Sequence, residues 1–271
     1  MTGPVQFTIE SECSSNHART GTVQTPHGSF ATPAFMPVAT AAAMKGVLPE
    51  QVKSVGAEII LNNAYHLMLR PGTELLERFG GTHRFMKWDG PVLTDSGGYQ
   101  AFSMSDMNAI NEDGVSFRSF VDGSKVHLGP ESSMQVQNAI GADIIMAFDD
   151  CPPSPHAKHG AGSPRAKLPT PQDWEGRLRE AHERTIRWLD RCVRAHARPD
   201  EQALFGIVQG GTNLDLRAES IDGVCGFDLP GYAIGGVAVG EGPEKIQEVV
   251  EFTAPRLPSD RPRYLMGVGY E

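Results

Sequence analysis

A short apolar run, Val92-Leu93-Thr94, stops at Asp95-Ser96-Gly97-Gly98-Tyr99-Gln100, so six residues offer a carboxylate, two glycines, a flat ring and an amide. Glycines can take φ > 0 and let a ligand approach bare backbone, while an amide both donates and accepts; the combination suits a planar polar ligand. Taken alone, the stretch is also a tight turn with an aspartate cap. The layout recurs, however. Apolar runs end at Asp149-Asp150-Cys151, at Gln209-Gly210-Gly211, at Gly235-Gly236 and, after Met266, at Gly267. Two carboxylates such as Asp95 and Asp149 facing one mouth are the equipment for substitution at a sugar's anomeric carbon, one as nucleophile or stabiliser and one as acid/base. Asp149 and Gln209 suit the N–H edge of a purine-like ring. Gly235-Gly236 offers backbone N–H with no side chain in the way, and Tyr99 or Met266 can sandwich a ring. The bland alternatives are a helix cap for Asp149 and plain core for Met266.

Elements that bring these ends together are legible as alternation. Phe7 to Glu10 and a hairpin over Thr20–Thr32, turning at Pro26 to Gly28, predict an antiparallel lid ahead of the main domain. Strands are expected at 34–39, 58–61, 91–94, 143–148, 204–208, 232–234 and 264–266. Helices are expected at 48–55, at 130–140 between Pro130 and Gly141, at 174–196, 214–221 and 244–252. A second hairpin, 115–120 and 125–128 around Asp122-Gly123, reads as a loop elaboration of the kind that forms active-site lids. Continuous apolar strands alternating with helices signal a parallel sheet covered by helices. Functional-looking residues after nearly every strand (Asn63, Asp95, Asp149, Gln209, Gly236, Gly267) favour a (β/α)8 TIM barrel over an open sheet, which concentrates its site at one switch point. Seven strands are countable and an eighth is missing.

Composition narrows the function classes. The 271 residues, 39% hydrophobic with a mean hydropathy of −0.29, describe one large core. No run of eighteen apolar residues is present and no export signal is legible at the N-terminus, so a cytoplasmic protein is expected. Cys13, Cys151, Cys192 and Cys225 form no C-x-x-C pair, which argues for reduced thiols and against a metal site built from this chain. A net charge of −9 provides no global electrostatic footprint for nucleic acid, although the loop Pro152 to Pro171 carries His156, Lys158, His159, Arg165 and Lys167. That loop reads first as solvated and second as a phosphate contact.

The blocks Phe35–Thr40, Tyr65–Gly72, Leu93–Gln100, Met146–Asp149, Phe205–Gly210, Ala233–Gly236 and Tyr264–Gly269 together resemble the tRNA-guanine transglycosylases, also called queuine tRNA-ribosyltransferases, in the same order. The resemblance implies an α/β barrel that exchanges guanine at the wobble position of tRNAs with GUN-type anticodons for a 7-deazaguanine base, which is 7-aminomethyl-7-deazaguanine in the bacterial branch. It implies that Asp95 is the acid/base, that Ser96, Gly97, Gly98 and Tyr99 continue the base-binding loop, and that Tyr99 stacks on the purine. It further implies that Asp149 and Gln209 read the guanine edge, that Gly235-Gly236 presents a backbone donor, and that Met266 floors the pocket. Gly267, Val268, Gly269, Tyr270 and Glu271 match the start of a segment touching tRNA. Cys151 and Val237 to Glu241 resemble the bacterial version. The family's nucleophilic aspartate lies on an eighth strand, followed by three cysteines and a histidine that bind a structural Zn2+, and none of these is in the 271 residues. The chain therefore reads as residues 1–33 packed on a catalytic barrel, residues 34–271, that lacks its eighth strand and zinc subdomain. Homodimerisation is expected when full length. A catalytically silent tRNA-binding partner and a barrel glycosidase using Asp95 and Asp149 remain as alternatives.

Overall fold

Alternation of apolar residues along six short strands builds one parallel sheet with two different faces. The computed structural model describes residues 3–103, 109–154 and 173–268. Three antiparallel strands come first: β1 (Gln6–Glu12), β2 (Arg19–Thr25) and β3 (Gly28–Thr32). The chain continues through α1 (Pro49–Ser54), β4 (Ile60–Asn62), α2 (Ala64–Leu69), α3 (Thr73–Phe79), α4 (Thr82–Met86), β5 (Val92–Thr94) and α5 (Gly98–Ser103). A second antiparallel unit follows, β6 (Ala109–Asn111), β7 (Gly114–Arg118) and β8 (Lys125–Leu128). Then come α6 (Pro130–Ile140), β9 (Ile144–Met146), α7 (Trp174–Ala195), β10 (Ala203–Val208), α8 (Leu214–Cys225), β11 (Gly231–Ile234), α9 (Pro243–Thr253) and β12 (Arg263–Leu265).

The parallel strands lie in the order β4-β5-β9-β10-β11-β12, each new strand added on the same side of the last. A doubly wound sheet would reverse direction at a switch point; this one never does. Since parallel crossovers are right-handed, winding in one direction puts the crossover helices on one face and leaves the other for an interior. The two apolar clusters follow that division. Ile60, Val92, Ile145, Leu204 and Val208 pack in the larger cluster with helix residues such as Leu67, Ile140 and Leu189. Ile59, Leu93, Ile144, Met146, Phe205, Ile207 and Ala233 pack in the other, with Leu61, Tyr264 and Met266 at its margin. Within β10 the two sets alternate residue by residue, the period of a strand buried on both faces.

Period two also aims the strand tips. Asn63, Asp95, Gln209, Gly235 and Met266 each stand two residues beyond an interior-facing residue, namely Leu61, Leu93, Ile207, Ala233 and Tyr264. They therefore inherit the interior direction at the sheet's C-terminal end.

The β1–β3 sheet packs at the end where the parallel strands begin, and its Phe7, Val23 and Phe30 line the inner part of the cavity that the strand tips also line. Val5, Val23 and Phe30 join the interior cluster. His27, in the turn between β2 and β3, donates its backbone N–H to Asp143 just before β9 (3.1 Å). Arg19 donates to the carbonyls of Ser259 and, at 2.6 Å, Arg261, just before β12. The expected first strand at 34–39 is also reduced, to one parallel bridge between Val38 and Leu61 held by Ala39 N–H to Leu61 O and Leu61 N–H to Pro37 O. Pro33 and Pro37 lack the donors a longer ladder needs. Between β4 and β5 three short helices replace a single crossover, because Pro71-Gly72 and Gly80-Gly81 break the run. Among the described residues no helix is long and apolar enough to cross a membrane.

Candidate active site

Asp95 follows β5 directly, and four donors converge on its carboxylate. Oδ1 accepts from the backbone N–H groups of Ala64 (2.9 Å) and Gly97 (3.2 Å). Oδ2 accepts from the side-chain amides of Asn63 and Gln100, the latter at 3.1 Å. Asn63 does two jobs, since its Oδ1 also caps α2 by accepting from His66 N–H. Burial outweighs these donors and pushes the Asp95 carboxyl up to about 7, with Asp149 adding to the rise. The side chain nevertheless keeps a face open to the cavity.

The glycines after Asp95 shape the turn that folds the chain back onto its carboxylate. Gly97 takes φ +77° and its N–H turns back onto Asp95, while Gly98 N–H bonds Ser96 Oγ (3.3 Å). A Cβ on Gly98 would press on the Phe148 ring at 3.1 Å and on the Asp149 carbonyl at 3.2 Å. The bare N–H groups expected at Gly97-Gly98 are thus taken up internally. Neither glycine lines the cavity.

Asp149 and Asp150 are neighbours that part company. Asp150 turns into α7, where Arg177 binds both its oxygens (2.9 and 2.5 Å) and Arg184 one of them (2.6 Å). Asp149 turns to the interior and is nearly buried, accepting from Gln209 Nε2 at 2.6 Å. Burial first and the charge of Asp150 second push Asp149 up to about 7, against the Gln209 and Ser96 hydrogen bonds. Cys151 sits beside them, its thiol pushed up to about 12 by burial and by the two carboxylates. Gly236 takes φ +64°, and a Cβ there would collide with Gln209 Oε1 and meet Arg217 Nη2 at 3.4 Å. Only glycine fits both the dihedral and the space.

Asp95, Ser96, Tyr99, Asp149, Cys151, Gln209, Gly235, Gly236, Met266, Gly267 and Val268 line a single cavity of about 760 Å³. The structure also adds residues whose types gave little warning. Tyr264 lines the cavity, with its hydroxyl pushed up to about 12 by burial and by Asp95. Glu241 accepts from the N–H groups of Ala238 and Val239 and shapes the loop at the rim. Gly269, Tyr270 and Glu271, and nearly all of the loop Pro152 to Pro171, lie outside the described residues.

The raised carboxyl of Asp149 carries a stability prediction. Folding disfavours its charged form, so its contribution is best below the unfolded value of about 4, falls as pH rises to about 7, and is flat above. Asp149→Asn is therefore expected to raise Tm by about 5 °C near pH 8 and to give no gain near pH 4. Thermal melts at the two pH values decide it; an equal shift at both would contradict the assignment.

Among the described residues one group, His27, His83 and Asp143, offers three ligand atoms within 4.8 Å of one another. It is poorly arranged for an ion. The two rings stack at 3.6 Å and 16°, so their lone pairs run side by side instead of converging, and Val92 N–H already occupies Asp143 Oδ2 (2.8 Å).

Fold and site together define a class: a one-way-wound α/β domain with a cavity at its strand tips lined by acids, an amide and bare backbone. A family model described as queuine tRNA-ribosyltransferase matches residues 13–271, and the chain belongs to that family. It is 50% identical over 265 residues to the queuine tRNA-ribosyltransferase of Halalkalibacterium halodurans, which covers 98% of this chain and 65% of the relative. Similarity to the protein of that name from Synechococcus elongatus is 52% over 264 residues, 97% of this chain and 64% of the relative. The Bacillus subtilis protein of the same name is 50% identical over 266 residues, 98% and 65% of the two chains. The chain thus spans slightly under two thirds of the length of these curated relatives.

Proposed function

We propose that this chain is the base-binding and proton-transferring part of a cytoplasmic tRNA-guanine transglycosylase built on a complete (β/α)8 barrel. In this reading the full-length protein, a homodimer, exchanges guanine at the wobble position of tRNAs with GUN-type anticodons for 7-aminomethyl-7-deazaguanine. The observation that carries it is the meeting of Asp95, Asp149, Gln209 and Gly236 in one cavity. Guanine presents two N–H donors beside a carbonyl; a carboxylate, an amide and a backbone N–H answer them in kind. Tyr99 and Met266 are available to cover the ring's faces.

Exchange with retention proceeds by two displacements at the ribose anomeric carbon. The attacking carboxylate is assigned to the eighth strand found in the family. Asp95, poised near 7, takes the proton from the incoming base, and Gly236 N–H meets charge on the leaving one. Among the described residues no cluster of cysteines and a histidine forms a structural zinc site. Cys13, Cys151, Cys192 and Cys225 are free and dispersed, Cys192 in the core and Cys13 on the surface, so no step is derived through a metal.

Labelled guanine should be incorporated into a tRNA of GUN type by the full-length protein, and not into a tRNA with another base at the wobble position. Gln209→Ala should weaken guanine binding by about 1–3 kcal/mol, the cost of burying a polar group of the base in the cavity without the amide that would pair with it. Incorporation without regard to the wobble base would remove the reading.

A further inference from the structure

Arg217, on the first turns of α8, is a large side chain with none of its surface exposed. Its partners are backbone carbonyls. Nε donates to Gly211 O at 2.7 Å, Nη2 to Gly235 O at 2.7 Å and Nη1 to Val208 O at 3.5 Å. Burial lowers its pKa to about 10, which leaves it charged at neutral pH. A cation buried against carbonyls is costly to hold, so a second role for its charge is worth seeking.

The geometry supplies one. The Gly235 carbonyl and the Gly236 N–H are two ends of the same peptide group, and a donor on the oxygen polarises the N–H at the other end. The left-handed turn at Gly236 directs that N–H towards the Cys151 thiol, inside the cavity. A Cβ on Gly236 would meet Arg217 Nη2 at 3.4 Å, so the guanidinium packs against this residue as well as bonding the carbonyl before it. We propose that Arg217 is a positioning residue that charges the Gly235–Gly236 peptide from behind, so that its N–H meets the C6 oxygen of the base as negative charge moves onto it. The inference rests on the guanine-exchange reading and deepens it: part of the site's affinity for an oxo-purine comes from a group that never touches the purine.

The test is titration of the full-length protein with guanine and with 2-aminopurine, which has no oxygen at C6. Neutral variants Arg217→Met and Arg217→Gln are expected to bind guanine about tenfold more weakly while 2-aminopurine stays within about twofold, and Arg217→Lys is expected to recover most of the guanine affinity. The Gln variant keeps a polar group facing the carbonyls and carries the comparison if the Met variant does not fold. Equal losses for both bases, or no loss for guanine, would leave Arg217 a latch between strand ends and overturn the inference alone. Failure of the unsubstituted protein to bind guanine would overturn the underlying reading with it.

Discussion

Asparagine at position 95 is expected to abolish base exchange, lowering turnover by about a thousandfold while changing guanine affinity by less than about tenfold. The carboxyl sits near 7 because burial exceeds the pull of four donors, so it can accept and return a proton at neutral pH. An amide of the same shape cannot. It would also turn its NH2 onto one of the donors from Asn63, Ala64, Gly97 or Gln100, all of which now find acceptors. Exchange should fall as pH drops below about 7, where burial, with the charge of Asp149 adding to it, places the Asp95 carboxyl. An assay of labelled guanine incorporation by the purified variant decides the matter; turnover near that of the unsubstituted protein would remove Asp95 from the chemistry.

Asp143→Ala is expected to cost about 3–5 kcal/mol of stability although it lies at the end of the parallel sheet away from the site. The carboxylate is buried and accepts the backbone N–H of His27 and Val92. It also meets His27 Nδ1 at 2.8 Å and His83 Nε2 at 3.1 Å. It ties the β2–β3 turn, α4 and β5 to the start of β9. Burial alone would push its pKa up; the hydrogen bond and charge of His83, then His27 and Val92 N–H, hold it below the usual carboxylate range. A depressed acid stabilises the fold above its unfolded value of about 4 and loses that contribution as pH falls through the folded value. The deficit of the alanine variant should therefore be full at neutral pH and shrink below about pH 4, which urea titrations at several pH values would detect. A variant as stable as the parent at pH 7 would contradict the clasp.

The strands and the acids at their tips were legible because a fully buried strand is a continuous apolar run that must end on something polar. Leu93 to Asp95 and Ile207 to Gln209 both follow that rule. What escaped was set by contacts distant in sequence. Asp143 looked like the first residue of a strand, while its partner His27 lies 116 positions away. Asp150 was legible only as the neighbour of Asp149, and its partners Arg177 and Arg184 come from α7. Arg217 was one arginine among many on amphipathic helices, and only the convergence of β10, β11 and the α8 N-terminus distinguishes it. The helices α2 to α4 are too short, at five to seven residues, for periodicity to register.

The most direct measurement is a crystal structure of the protein grown with guanine. The base should lie in the cavity between Tyr99 and Met266, its N–H edge on Asp149, its remaining polar edge on Gln209, and its C6 oxygen on Gly236 N–H. Guanine bound outside that cavity, or turned so that Asp149 and Gly236 do not touch it, would contradict the account.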